Sequence, residues 1–223
     1  MSLHTALVTG ASGNLGIAVV QAFAAHNFQV YAFVHHIKQN DIPSNYITPI
    51  ALDLLNEAAC SNQVQAIAQS NGSIDVAVLT AGGFAMGNIA DTDSKAIQQQ
   101  IQLNFETAYH IARPVFLQML QQKKGHSFFI GSKAGLDTRH ANGLTAYGLS
   151  KSLLFRLAEV MQAEAKGTDV VIKVIVPTII DTPQNRADMP NADFSKWTTP
   201  EAIAAIIVEQ AIAAPTNGEM VVV

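Results

Sequence analysis

Val8-Thr9-Gly10-Ala11-Ser12-Gly13-Asn14-Leu15-Gly16 lies between a short apolar run, Ala6-Leu7-Val8, and an amphipathic stretch from about Leu15 to Ala25. Strand, glycine-rich turn and helix follow one another within the first twenty-five residues. Glycine permits positive φ and a close approach to the backbone. The free amides and positive end of a helix favour an anion such as a pyrophosphate. A glycine-capped turn would account for any one of Gly10, Gly13 and Gly16. Their regular spacing in a strand-turn-helix context instead points to a loop that cradles phosphates.

The same alternation continues outward from this loop. Strand-like runs are Phe28 to Val34, Ile47 to Leu52, Val76 to Leu79, Ser127 to Ile130, Val170 to Val176 and Glu219 to Val223. Helical patterns separate them at about Asn56 to Gln69, Asp93 to Leu120, Thr145 to Ala165 and Pro200 to Ala213. Short continuous apolar strands alternating with helices imply a parallel sheet covered on both faces. The expected architecture is α/β: a single-domain, doubly wound parallel sheet (Rossmann fold) over residues 1–223. Its ligand crevice should lie at the carboxyl ends of the strands. The stretch 178–199, rich in Pro, Asp, Asn and Thr, reads as a long irregular loop on the substrate side.

Composition narrows the function. Of 223 residues, 49% are apolar and 13% charged, which excludes a disordered chain. A net charge of -4 argues against a nucleic-acid binder. The single cysteine, Cys60, excludes an intrachain disulfide and a multi-cysteine metal site, and reads best as a small buried hydrophobe. The histidines show no metal-ligand spacing, so no metal is expected. No run reaches the ~20 apolar residues of a membrane span, and no secretion signal is evident; a cytoplasmic setting is the expectation.

Tyr147 and Lys151 stand four residues apart at the start of the 145–165 helical pattern. That spacing places a phenol and an ammonium on one helix face. A neighbouring positive charge favours phenolate and should lower the tyrosine pKa, which would suit proton transfer. An ordinary surface pair has the same spacing; the phosphate loop in the same chain favours the catalytic reading.

Taken together, these motifs resemble the short-chain dehydrogenase/reductases over essentially the whole chain. The family's cofactor loop corresponds to Gly10, Ser12, Gly13, Asn14, Leu15 and Gly16, its adenine contact to Asp53-Leu54, and its turn after the fourth strand to Thr80-Ala81-Gly82, extended by Gly83. Asn104, Ser132, Tyr147 and Lys151 match its four active-site residues. Val176-Pro177-Thr178, with Ile180 and Thr182, resembles its last cofactor-contacting segment. Asn14, Thr80 and Thr178 replace the family's commoner Gly, Asn and Gly. The resemblance implies hydride transfer with a nicotinamide cofactor, Tyr147 as general acid/base, Lys151 on the nicotinamide ribose, Ser132 on the developing anion, and Asn104 steadying a water or helix carbonyl in a proton relay.

One branch is closer. Asp181-Thr182-Pro183, Asn185-Arg186, Met189-Pro190, Ala192-Asp193-Phe194 and Trp197-Thr198 resemble the dihydropteridine reductases, as do Ala81-Gly82-Gly83-Phe84 and Gly87-Asn88. Those enzymes keep the tyrosine and lysine but lack the serine and asparagine that stand at Ser132 and Asn104. The full set of four favours a carbonyl or alcohol substrate, or a pterin reductase that kept the ancestral site. A non-catalytic NADP-binding sensor is the alternative from a different class, and the intact Tyr147-Lys151 pair argues against it.

Cofactor choice rests on Phe33-Val34-His35-His36-Ile37-Lys38, where no carboxylate is available to repel a 2′-phosphate. His35 stands where NADP-dependent relatives often carry arginine, so NADP(H) is preferred and NAD(H) remains possible. Histidine is mostly neutral near pH 7, so an NADP preference carried by His35 and His36 should weaken as pH rises. Phe84, Met189, Phe194 and Trp197 either line a flat apolar pocket or anchor the loop to the body. A small-molecule substrate and a homodimer or homotetramer, formed through the 93–120 and 145–165 helices, complete the expectation.

Overall fold

The architecture follows from where the apolar runs fall. In the computed structural model, which describes residues 3–37, 45–214 and 220–223, seven strands form one sheet in the order β3-β2-β1-β4-β5-β6-β7, every neighbouring pair parallel. The strands are β1 (His4–Thr9), β2 (Phe28–Val34), β3 (Ile47–Ala51), β4 (Val76–Leu79), β5 (Lys124–Ile130), β6 (Asp169–Val176) and β7 (Met220–Val222). The helices are α1 (Asn14–Ala25), α2 (Glu57–Asn71), α3 (Ser94–Ile101), α4 (Thr107–Gln122), α5 (Lys133–Leu136), α6 (Thr145–Glu164), α7 (Pro183–Asp188) and α8 (Pro200–Ile212). Lys38 and Glu219 lie outside the described residues.

The two-residue period of a strand divides the core between the faces of the sheet. Val76 and Val78 pack with Val19, Phe23, Ile203 and Ile207 of α1 and α8. Ala77 and Leu79 face the other side, with Ile67, Ile111, Val115 and Leu154 of α2, α4 and α6. The strand order reverses between β1 and β4, and the crevice at such a switch point is where ligands of this architecture sit. Two threonines lace it. Thr80 Oγ1 donates to the Thr9 carbonyl at 2.6 Å, and the Ala81 amide donates to Thr9 Oγ1 at 3.2 Å. Thr80 is therefore a strut between the first and fourth strand ends.

Two expectations are corrected. The continuous helix over Asp93 to Leu120 is broken by a π-helical turn, Gln102–Glu106, between α3 and α4. One extra residue per turn shifts the helix face, and it rotates Asn104 into full burial. The 178–199 stretch is not without structure. Thr182 caps α7, with Pro183 at its first turn, and Asp193 caps a 3-10 turn at Phe194–Lys196.

Candidate active site

The glycine loop begins where β1 ends. Gly10 has φ +59, and a Cβ there would lie 2.8 Å from the Ala81 nitrogen. At Gly16 a Cβ would lie 2.1 Å from the Gly10 carbonyl oxygen, so the loop folds back on its own helix. The Gly13 carbonyl accepts the first intrahelical bond, from Ile17 at 2.9 Å. The amides of Asn14, Leu15 and Gly16 therefore precede the helical ladder. The helices α2, α3 and α8 have side-chain caps from Asn56, Asp93 and Thr199, whereas Gly13 offers α1 none, and no acidic residue stands in its first turn. An uncapped, carboxylate-free helix start behind a folded glycine loop fits a pyrophosphate.

The other candidate cofactor residues surround that loop. The Ala11 amide donates to the Phe33 carbonyl at 3.1 Å, which ties the loop to the end of β2 just before His35 and His36. Those two imidazoles are exposed and stacked, with centroids 4.2 Å apart. The turn at Asp53-Leu54 is braced from behind by His110 Nδ1, 2.8 Å from the Leu54 carbonyl, and by the Cys60 thiol, 3.7 Å from both carbonyls. Burial and the nearby Asp53 push the Cys60 thiol up to about 11, so it acts as a neutral strut. Across the crevice, Asn14 and Ile17 share a cavity of about 500 Å³ with Asp181, Thr182, Pro183, Arg186, Thr199, Pro200 and Glu201. Pro177 and Thr178 follow β6, and the Thr178 amide donates to the Val223 carbonyl at 3.0 Å. Asn185 Nδ2 holds the Ile180 carbonyl at 2.8 Å.

Ser132, Tyr147, Lys151 and Asn104 converge at the carboxyl edge of β4 and β5. Lys151 is buried, and its Nζ donates to the Ile130 carbonyl at 2.9 Å and lies 5.9 Å from the Tyr147 ring centroid. Ser132 Oγ accepts from the Ala134 amide at 3.0 Å, so it caps α5 and also faces the phenol. The expected lowering of the Tyr147 pKa is reversed. Burial raises it, and hydrogen bonding from Ser132 only partly opposes this. Burial also lowers Lys151 to about 8. Desolvation disfavours the charged form of both groups and is the largest cause of each shift.

Asn104 is fully buried and bonded to protein on every side. Its Oδ1 accepts from the Gly83 amide at 2.9 Å, while Nδ2 lies 3.0 Å from the Gly83 carbonyl, from Gln100 Oε1 and from Ser150 Oγ. The Ser150 hydroxyl donates in turn to the Tyr147 carbonyl at 2.8 Å. The side chain thus clamps the turn after β4 to the first turns of α6, and its polar atoms are taken up by protein partners. Gln100, His110 and Ser150 were invisible in the sequence as site residues, because only the fold makes them neighbours. We expect Asn104→Ala to leave both Gly83 groups unmet, at ~1–3 kcal/mol in all. For a chain of this size, differential scanning calorimetry should record that as a fall of ~3–10 °C in melting temperature. An unchanged melting temperature would rule the clamp out.

The buried ammonium carries a stability cost with a defined pH window. The folded-state pKa of Lys151, about 8, lies below the ordinary 10.5. The unfolded chain therefore binds more protons between those values, and stability should rise as pH increases from 8 towards 10.5. Lys151→Met removes the charge while keeping the volume, at the expense of one hydrogen bond to Ile130. We expect it to be more stable than the parent at pH 7 by ~2 kcal/mol, and urea unfolding at pH 7 and 10.5 should show that gain shrinking at the higher pH.

Among the described residues no group of three or more His, Cys, Asp or Glu converges to hold a metal. Phe194 and Trp197 pack on one another at 4.7 Å, with the Arg186 guanidinium 4.7 Å above Phe194, so this pair braces the loop. Phe84, another of the four candidate pocket residues, meets the Tyr147 ring edge-on at 5.0 Å.

A family model described as short chain dehydrogenase matches residues 4–193. The chain belongs to that family. It is accordingly an NAD(P)-dependent oxidoreductase of the short-chain type. An uncharacterized oxidoreductase of Myxococcus xanthus is 28% identical over 200 residues, covering 85% of this chain and 78% of its own. A dihydropteridine reductase of Dictyostelium discoideum is 27% identical over 221 residues, covering 96% and 92%. Among solved structures, ElxO with NADP bound superposes with a TM-score of 0.90 at 22% identity, covering 99% of this chain and 96% of that one. Serine dehydrogenase from Escherichia coli superposes with a TM-score of 0.84 at 21% identity, covering 98% and 96%. These two share the fold.

Proposed function

We propose that this short-chain oxidoreductase is an NAD(P)H-dependent reductase of a small molecule, with Tyr147 as general acid, and that quinonoid dihydropterin is among its substrates. The observation that carries the reading is the convergence of Ser132, Tyr147 and Lys151 beside an uncapped helix start behind a glycine loop. The reduced nicotinamide would supply a hydride. Gly10, Ser12, Gly13, Asn14, Leu15 and Gly16 would hold the pyrophosphate. Asp53 and Leu54 would flank the adenine, while Ala81, Gly82, Gly83, Pro177, Thr178, Ile180 and Thr182 would line the nicotinamide side. Lys151 would hold the ribose, its Nζ leaving the Ile130 carbonyl to do so. Tyr147, kept protonated by its raised pKa, would donate its phenolic proton to the substrate atom that gains negative charge. Ser132 would hydrogen-bond that atom, a contribution of a few kcal/mol in comparable sites.

Our cofactor assignment is NADP(H) before NAD(H). It is supported by the exposed His35–His36 pair at the end of β2 and by the lack of a carboxylate there. Pterin reduction is supported by the 178–199 resemblance and by the Dictyostelium relative. The working form we propose is a cytoplasmic homodimer or homotetramer, for which the outward-facing Leu103, Leu117, Leu149, Leu153 and Val160 of the π-turn, α4 and α6 offer apolar surface. No helix among the described residues is long and apolar enough to cross a membrane.

The test is oxidation of NADPH and NADH with quinonoid dihydrobiopterin, run beside small ketones and quinones. We expect turnover of the pterin, faster with NADPH. Turnover of carbonyl compounds alone would remove the pterin assignment and leave the carbonyl reductase. Tight cofactor binding with no turnover of any compound would favour a sensor.

A further inference from the structure

Where the loops leave the carboxyl edge of β4, β5 and β6, several large apolar side chains are exposed. Phe84, Met86, Ile89, Leu136, Ile179 and Met189 are all exposed there, Phe84 by 61% and Met86 by 80%. An exposed aromatic ring against a candidate proton donor, as Phe84 is against Tyr147, marks a binding surface.

The segment bearing Phe84 and Met86 is fastened at both ends. Asn104 holds Gly83 on one side. On the other, the Gly87 amide donates to the Gly143 carbonyl at 2.8 Å, and the Thr145 amide donates to the Gly87 carbonyl at 2.9 Å, in a short parallel bridge leading into α6. Between the two anchors Phe84 and Met86 are exposed while Ala85 and Gly87 are half-buried. This is the two-residue period of an extended strand, so Phe84 and Met86 face the same way. The Phe84 ring meets the Tyr147 ring edge-on, 70° between planes. One helix, α6, therefore carries the candidate acid and also anchors the apolar wall beside it.

The charges around this wall are largely neutralised. Arg139 pairs with Asp137, Arg186 with Asp181 and Lys196 with Asp193. Among the described residues, Lys133 is the lysine of these loops outside those ion pairs. A site built to take a carboxylate or phosphate would present a free guanidinium fork; both arginines here are engaged.

We infer that the Phe84–Met86 wall is a ring-binding surface that selects planar, uncharged ring substrates, with aryl ketones as the type, over sugars, hydroxy acids and keto acids. This deepens the reductase reading and rests on Tyr147 as its acid. For an aryl ketone, a bound reduced nicotinamide would supply a hydride to the carbonyl carbon as the π pair moves to oxygen. The oxygen takes the Tyr147 proton, giving a secondary alcohol and oxidised nicotinamide, and the phenolate regains its proton from solvent. A flat ring lying on Phe84 lies beside the Tyr147 ring, because the two protein rings touch.

The experiment compares kcat/KM with NADPH for acetophenone, butan-2-one, glyceraldehyde and pyruvate, in the parent chain and in Phe84→Ala. A calorimetric titration of acetophenone in the presence of NADP+ accompanies it. Acetophenone should exceed glyceraldehyde and pyruvate at least tenfold, and Phe84→Ala should lower the acetophenone to butan-2-one ratio by about tenfold or more, as lost apolar pocket contacts do. Met86→Ser should move the ratio the same way and serves if Phe84→Ala melts too low to assay. Equal or better turnover of glyceraldehyde or pyruvate, or a ratio indifferent to both substitutions, would overturn the inference and leave the reductase reading in place. If nothing turns over, binding of acetophenone that depends on Phe84 would support the ring surface and remove Tyr147 as the acid. No binding and no turnover would overturn the inference.

Discussion

Tyr147→Phe is expected to lower turnover at least ~10²-fold, the usual contribution of a positioned acid, while the cofactor dissociation constant moves no more than a few-fold. The substitution is narrow. Phenylalanine keeps the ring that touches Phe84 and that lies 5.9 Å from the Lys151 ammonium, so the apolar wall and its anchor should persist. What is lost is the hydroxyl, together with its interaction with Ser132. The pH profile gives an independent check. Because burial raises the phenol's pKa, the proton-donating form is present throughout the neutral range, and the reduction rate in the parent should fall only as pH rises well beyond it. Single-turnover NADPH oxidation and a fluorescence titration of NADPH separate chemistry from binding. A variant with parental turnover would remove Tyr147 from the reaction.

Why some of this site was legible in the sequence, and some was not, comes down to the range of the forces involved. Phe28–Val34 and Val76–Leu79 are strands at the expected bounds, because buried parallel strands must be apolar on both faces. The folded glycine loop was legible because its constraints are local: Gly10 has φ +59, and Gly16 has no room for a Cβ. Tyr147 and Lys151 were legible because helix periodicity alone puts them on one face. By contrast, the amino-terminal half of β5 (Lys124-Gly125-His126) is polar or small, and only pairing with β4 and β6 makes it strand. The π-helical turn at Gln102–Glu106 leaves no trace in the apolar pattern, yet it decides that Asn104 points inward at Gly83. The sign of the Tyr147 shift was misread for a related reason. Spacing reveals the ammonium, but desolvation depends on everything packed around the pair. Thr80, a departure from the family's asparagine, proves to be the strut onto Thr9.

Gly16→Ala is expected to have the largest effect on cofactor binding, with at least ~10²-fold lost, equivalent to ~3 kcal/mol. A Cβ at this position would stand 2.1 Å from the Gly10 oxygen and 2.8 Å from the Ala11 Cα, both backbone atoms that no rotamer can move. Relief requires the loop to open away from α1, which pulls the Asn14 and Leu15 amides out of register with a shared phosphate. Overpacking of this kind also costs ~1–3 kcal/mol of stability, so affinity must be read on folded protein. Two other glycines provide the contrast. Gly13 has φ -79, and its Cβ would lie 3.3 Å from the same oxygen, so Gly13→Ala asks for a shift of only a few tenths of an ångström. Gly72, at the carboxyl end of α2, has φ +80 and open space around it. Gly72→Ala should therefore cost ~1 kcal/mol of stability through its backbone and leave binding alone. Titration of NADPH into the three variants distinguishes a phosphate cradle from a merely tight turn. A cradle requires Gly16→Ala to fail while Gly13→Ala binds within several-fold of the parent and Gly72→Ala binds like it. Comparable affinity in Gly16→Ala would show that the fold-back of Gly10 on α1 is packing alone, and the dinucleotide would have to be held elsewhere on the crevice.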